Sequence, residues 1–115
     1  MTVAAAIVTD RSWIDVAALD DIPLRGARRI RAAGEDLALF RTSDDRVFAL
    51  RDQCPHKQGP LSDGIVCGHA VACPLHNWLI DLETGRPLGA DADKGLTPTT
   101  PVMVQAGRVF ISADG

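Results

Sequence analysis

The chain has 115 residues, of which 46% are hydrophobic, and 12 Lys and Arg stand against 15 Asp and Glu for a formal net charge of −3. A chain of this length folds as one domain that buries roughly two thirds of its unfolded surface, so a metal need not carry the fold by itself. The acid excess, with no basic block longer than 28–31, argues against a nucleic-acid partner, and the apolar run 3–8 is too short to span a bilayer and lacks a basic flank.

Three cysteines form an odd set without disulfide-like spacing, which points to a reducing compartment, the cytoplasm by default. Neither a signal peptide nor a membrane anchor is expected.

Residues 1–11 read as a loose leader, with a single ordered domain over 12–115 that starts near Ser12-Trp13-Ile14. The stretch 20–26 is a turn-rich connection, because Pro23 fixes φ and Gly26 permits unusual backbone. Short strands are expected at 28–32, 36–40 and 46–50, separated by 33–35 and 42–45, which together make a meander. Further on, 64–66 and 70–72 form the arms of a hairpin with Gly68 at its tip. Another strand is expected at 78–82, then a turn at 83–87 and a long loop at 88–97. Two closing strands, 101–105 and 108–112, are joined by Ala106-Gly107. No internal repeat, low-complexity tract or amphipathic helix is evident, and this spacing of short strands predicts an all-β barrel or sandwich.

Two Cys/His clusters punctuate this pattern: Cys54-Pro55-His56, and Cys73-Pro74-Leu75-His76, with sixteen residues between them. A Rieske-type [2Fe–2S] centre takes two thiolates on one iron and two imidazoles on the other, so each cluster supplies one of each. On this reading Cys54 and Cys73 hold the inner iron, and His56 and His76 the outer one. Zinc is the rival, but structural zinc sites usually pair like ligands as C-x₂₋₄-C and H-x₃₋₅-H, whereas each knuckle here mixes them.

Cys67-Gly68-His69 is a third Cys/His pair. In the hairpin reading it lies about 10–13 Å along the strand from Cys73, out of reach of the metal. Cys67 is then expected as a small buried apolar side chain and His69 as a solvated turn residue. Pro55 and Pro74 would stiffen the ligand loops, and Gly59 and Gly64 would let backbone come close.

An oxidised 2+ core with two thiolates and two neutral imidazoles is neutral, and reduction makes it −1, so the site carries one electron. With two of three histidines used as ligands, no facial triad for a mononuclear iron can be assembled. No Gly-rich phosphate loop is present either. Catalytic residues are therefore not expected, and chemistry depends on a partner.

The clusters and their surroundings resemble the Rieske iron–sulfur superfamily. Within it, Asp52-Gln53-Cys54-Pro55-His56-Lys57-Gln58-Gly59-Pro60-Leu61-Ser62-Asp63-Gly64, Cys73-Pro74-Leu75-His76-Asn77-Trp78 and Asp81-Leu82-Glu83-Thr84-Gly85 look like the small subunit of the assimilatory NAD(P)H-dependent nitrite reductase. The resemblance implies a fold of small antiparallel sheets with the cluster at the tips of two loops. It also implies a large partner subunit carrying FAD, a [4Fe–4S] cluster and sirohaem, where nitrite is reduced to ammonium. Gly59 and Leu75 occupy positions that are disulfide cysteines in high-potential members, which implies a potential near the low end of the Rieske range, about −150 mV. A rim of Lys57, Pro60, Leu61, Leu75 and Trp78 is the expected docking surface. The alternatives are a Rieske ferredoxin feeding a ring-hydroxylating dioxygenase or related oxygenase, and a structural subunit whose site holds zinc or is vacant in use.

Overall fold

A computed structural model describes residues 13–32, 34–53, 60–73, 79–88 and 95–112. The expected leader and three of the four expected ligands, Cys54, His56 and His76, lie outside this set. Among the described residues there are ten strands: β1 (Trp13–Ala18), β2 (Gly26–Ala32), β3 (Glu35–Arg41), β4 (Val47–Arg51), β5 (Ile65–Cys67), β6 (Ala70–Ala72), β7 (Leu79–Asp81), β8 (Thr99–Thr100), β9 (Val102–Gln105) and β10 (Arg108–Ser112). They form three antiparallel sheets in the orders β1-β10-β9, β2-β3-β4-β8 and β5-β6-β7. The only helical pieces among the described residues are 3-10 turns at Leu19–Asp21 and Leu61–Asp63.

The β2-β3-β4-β8 sheet is the middle layer, and the sequence of β3 shows why. Side chains alternate across a strand, so a run that is apolar at both parities has to be covered on both faces. Leu37 and Leu39 point to one side, where they pack with Ala17, Ile22, Val47, Ala49, Val109 and Ile111. Ala38 and Phe40 point to the other, against a second core that includes Leu50, Leu61, Val71, Cys73 and Ile80. The first core joins the middle layer to β1 and β10, the second to β5, β6 and β7.

Turn chemistry sets the registers. Ala106 and Gly107 both have positive φ, 52° and 77°, between the paired residues Gln105 and Arg108. This is the backbone of a type I′ turn, whose twist matches the flanking strands. The β3–β4 turn is closed by Thr42, which is fully buried: its N–H donates to the Arg46 carbonyl at 2.9 Å and its hydroxyl oxygen accepts the Arg46 N–H at 3.2 Å.

The expected strands agree with the structure to within one or two residues. The strand expected at 78–82 is described over Leu79–Asp81, with Trp78 outside the described residues. Two strands were not anticipated. β1 pairs with β10 from Trp13 opposite Ser112, through a register shift between Asp15 and Ala17, and β8 is a two-residue addition beside Ala49 and Leu50. No helix among the described residues is long and apolar enough to cross a membrane.

Candidate metal centre

The two segments that carry the expected ligands begin where described strands end, one after β4 of the middle sheet and one after β6 of the β5-β6-β7 sheet. The first follows β4: Arg51 ends the strand, and Asp52 and Gln53 lead into 54–59. The chain is next described at Pro60, and Leu61 is fully buried in the core between the layers. The second begins at Cys73, directly after β6, and the strands on either side of it are paired, with Ala72 opposite Leu79. Cys73 is itself fully buried and belongs to the same core as Leu61. Its sulfur thus starts the second loop from a fixed place.

The bases of the two loops touch. A Cβ added to Gly64 would lie 2.9 Å from Val71 Cγ2, 3.1 Å from the Leu61 carbonyl oxygen and closer still to the Ala72 carbonyl. Gly64 itself has φ −79° and ψ −179°, an extended conformation open to any residue. Its role is therefore close approach: the missing side chain lets the segment after the first loop lie on the strand that leads into the second. Behind Gln53, the Thr97 hydroxyl donates to the Gln53 carbonyl at 3.2 Å, and the Arg51 N–H donates to the Pro98 carbonyl at 3.0 Å.

The near and far sides of the first loop are joined by a buried carboxylate. Asp52 Oδ1 accepts the Ser62 N–H at 2.7 Å, and Oδ2 accepts the Ser62 hydroxyl at 2.8 Å and Arg29 Nε at 2.7 Å. The sequence reading gave Asp52, Ser62 and Arg29 no role. No local pattern marks the contact, because it spans ten residues of loop and a second strand.

Beside this lies an open groove of about 470 Å³. Its arginines are each matched by an acid: Arg29 with Asp52, Arg31 with Asp36 at 2.8 Å, and Arg51 with Glu35. Among the described residues that line it, the charges balance and no arginine is left unpaired.

Two expectations are corrected. Cys67 is exposed rather than buried, because side chains alternate along β5: Val66 turns into the core, while Ile65 and Cys67 face outward. Leu61 is a core residue rather than part of a docking rim, because its 3-10 turn points it inward between the layers. Pro60 is half-buried, and Lys57, Leu75 and Trp78 lie outside the described residues.

His69 sits in the hairpin turn as expected, next to Gly68 with φ 58°, but it is engaged there. Its Nε2 lies 3.1 Å from Asp44 Oδ2, its Nδ1 is 3.8 Å from Glu83 Oε1, and its ring packs 5.7 Å from that of Phe48. It ties the β5–β6 hairpin to the β3–β4 turn. The Asp44 carboxyl is held below its ordinary value, chiefly by the hydrogen bond from the Thr42 hydroxyl and secondarily by His69. No group of three or more His, Cys, Asp or Glu among the described residues forms a metal site.

The donor set fits a Rieske-type [2Fe–2S] group. The described thiol starts one loop from a water-free core, and the remaining candidate donors fall in the two segments whose bases the fold brings together. His69 is engaged with Asp44, Glu83 and Phe48, and Cys67 faces outward from β5.

A family model for the Rieske [2Fe–2S] domain matches residues 12–101. The ferredoxin component of naphthalene 1,2-dioxygenase/salicylate 5-hydroxylase systems from Ralstonia sp. is 32% identical over 104 residues, covering 90% of this chain and 98% of that protein. A 4beta-methylsterol monooxygenase from Methylococcus capsulatus is 44% identical over 96 residues, 76% of this chain but 26% of its own length. Among solved structures, a protein described as a nitrite reductase NADPH (small subunit) oxidoreductase is 28% identical, with a TM-score of 0.76 over 87% of this chain and 97% of its own.

Proposed function

We propose a function from the premise that this chain belongs to the Rieske [2Fe–2S] domain family: it is an electron-transfer protein, and its cluster is held by Cys54 and Cys73 on one iron and by His56 and His76 on the other. When bound, that cluster supplies a single one-electron couple. The chain's own part is to hold the two loops together and to keep Cys73 out of water. The observation that carries this reading is the contact between the loop bases, where Gly64 lies against Ala72 one residue before Cys73.

Within the family we assign the chain as the small subunit of an assimilatory NAD(P)H-dependent nitrite reductase. It would exchange electrons with a large subunit that carries FAD, a [4Fe–4S] cluster and sirohaem and reduces nitrite to ammonium. The segments 52–64, 73–78 and 81–85 support this assignment, as does the 28% identity to a structure described as a nitrite reductase small subunit. A second reading, a ferredoxin delivering electrons to a ring-hydroxylating dioxygenase, is favoured by the 32% identity to the Ralstonia ferredoxin component across almost the whole of both chains. A cytoplasmic location suits either.

Reconstitution with a separated large subunit tests the assignment. The wild type restores NAD(P)H-dependent nitrite reduction, and His76→Ala binds without restoring it. Co-purification with an oxygenase component in place of a sirohaem protein would transfer the assignment to the second reading.

A further inference from the structure

We propose that Asp52 is a positioning residue for the first ligand loop: through Ser62 and Arg29 it latches the loop shut and so sets where Cys54 and His56 stand relative to Cys73 and His76. The proposal rests on the ligand assignment above and goes beyond it, to residues outside the ligand set.

The Asp52 side chain is 2% exposed. A buried carboxylate is tolerated only when its lone pairs are filled and its charge is met. Here both conditions hold. Ser62 supplies its backbone N–H and its hydroxyl, Arg29 supplies Nε, and Arg29 Nη2 also donates to Ser62 Oγ at 3.3 Å. Asp52 is additionally fixed through its own N–H, which donates to the Asp36 carbonyl at 3.0 Å.

The partners identify the purpose. Asp52 stands two residues before Cys54, and Ser62 stands six residues after His56, so the contact closes a loop of nine residues, 53–61. Closing such a loop costs conformational entropy that ligand binding would otherwise have to supply. The far side of the loop is independently anchored by buried Leu61 and by the packing of Gly64 on β6. The latch transfers that anchorage to the near side, next to the first thiolate. The neighbouring pair Arg31–Asp36 has side chains 68% and 60% exposed, bonded to each other and to the Gly34 carbonyl but to neither Asp52 nor Ser62. It is the natural control.

The test uses the whole holoprotein prepared anaerobically. Iron and acid-labile sulfide are measured first, followed by the rate of iron release to a chelator, the paramagnetic spectrum after reduction, and the midpoint potential. Losing charge-assisted buried hydrogen bonds makes release in Asp52→Asn roughly 10- to 100-fold faster. Ser62→Ala moves the same way, Ser62→Thr, which keeps the hydroxyl, restores slow release, and Asp36→Asn behaves as wild type.

Charge gives a second signature. Asp52→Asn removes a negative charge and raises the midpoint, Arg29→Gln removes a positive one and lowers it, and both alter the paramagnetic spectrum. A purely structural role would lower thermal stability and leave release and spectrum unchanged, which overturns the proposal. Should the Asp52 variant fail to fold, the contrast between Ser62→Ala and Ser62→Thr decides it. Wild type without iron or sulfide would overturn the ligand assignment and the latch together. Loaded wild type with indifferent variants would overturn the latch alone.

Discussion

Two glycines bracket β5, and replacing each by alanine separates two physical effects. Gly64 has an ordinary extended backbone, so Gly64→Ala carries no conformational penalty. Its new Cβ meets fully buried Val71 at 2.9 Å and the carbonyls of Ala72 and Leu61, none of which can swing away. Overpacking costs about 1–3 kcal/mol, and contact with backbone on two sides puts this case at the upper end, about 3 kcal/mol. Gly68 has φ 58° with nothing within 4 Å of an added Cβ. Gly68→Ala costs only the left-handed backbone, about 1 kcal/mol. At roughly 4 °C of melting temperature per kcal/mol for a domain of this size, the two variants fall by about 12 °C and about 4 °C. Thermal unfolding followed by circular dichroism measures both. Iron release to a chelator, run in parallel, should accelerate in Gly64→Ala and stay unchanged in Gly68→Ala. Equal melting temperatures, or unchanged iron release in Gly64→Ala, would refute the claim that this contact holds the loop bases together.

Leu61→Ala, which opens a cavity in the core between the layers, should cost about 2–5 kcal/mol in denaturant unfolding, while affinity of the folded protein for its partner is unchanged. Cys73→Ser should abolish iron and sulfide incorporation, and Cys67→Ser, at an exposed position, should leave both at wild-type levels in elemental analysis. The depressed Asp44 pKa makes its ionised form a source of stability above the ordinary value of 3.8, lost as pH falls from there through the folded value. Asp44→Asn should therefore flatten the acid limb of the stability curve below about pH 4. A redox titration should place the midpoint near the low end of the Rieske range, at about −150 mV, and a value well above zero would contradict the reading of Gly59 and Leu75.

The β2–β3–β4 meander was legible because its turns carry their own signals, Gly34 and the Thr42–Asp45 cluster, between apolar runs. The last hairpin was legible for the same reason, with Ala106-Gly107 supplying two left-handed residues. What escaped was the part decided by distant partners. β1 is a strand because β10, nearly a hundred residues later, offers it an edge, and its own alternation is blurred by the register shift after Asp15. Leu61 looks like a surface residue in its Pro-Leu-Ser-Asp context and is buried only because a 3-10 turn folds it between two layers. Cys67 was read from the residue-type average for cysteine, which its outward parity on β5, opposite to that of buried Val66, overrides. The proposed ligand set rests on spacing alone, since metal chemistry fixes residue types, and Cys54, His56 and His76 lie outside the described residues. Asp52, Ser62 and Arg29 could not, because a carboxylate, a hydroxyl and a guanidinium occur in any surface loop.

The pairing of Trp13 with Ser112 puts the first and last described residues side by side on an outer sheet, with the middle layer between them and the β5–β6–β7 sheet that carries Cys73. The fold is therefore a cassette with a single seam. A longer polypeptide can accept it at one splice point, as a host accepts an insert, because its described ends lie on paired strands of one sheet.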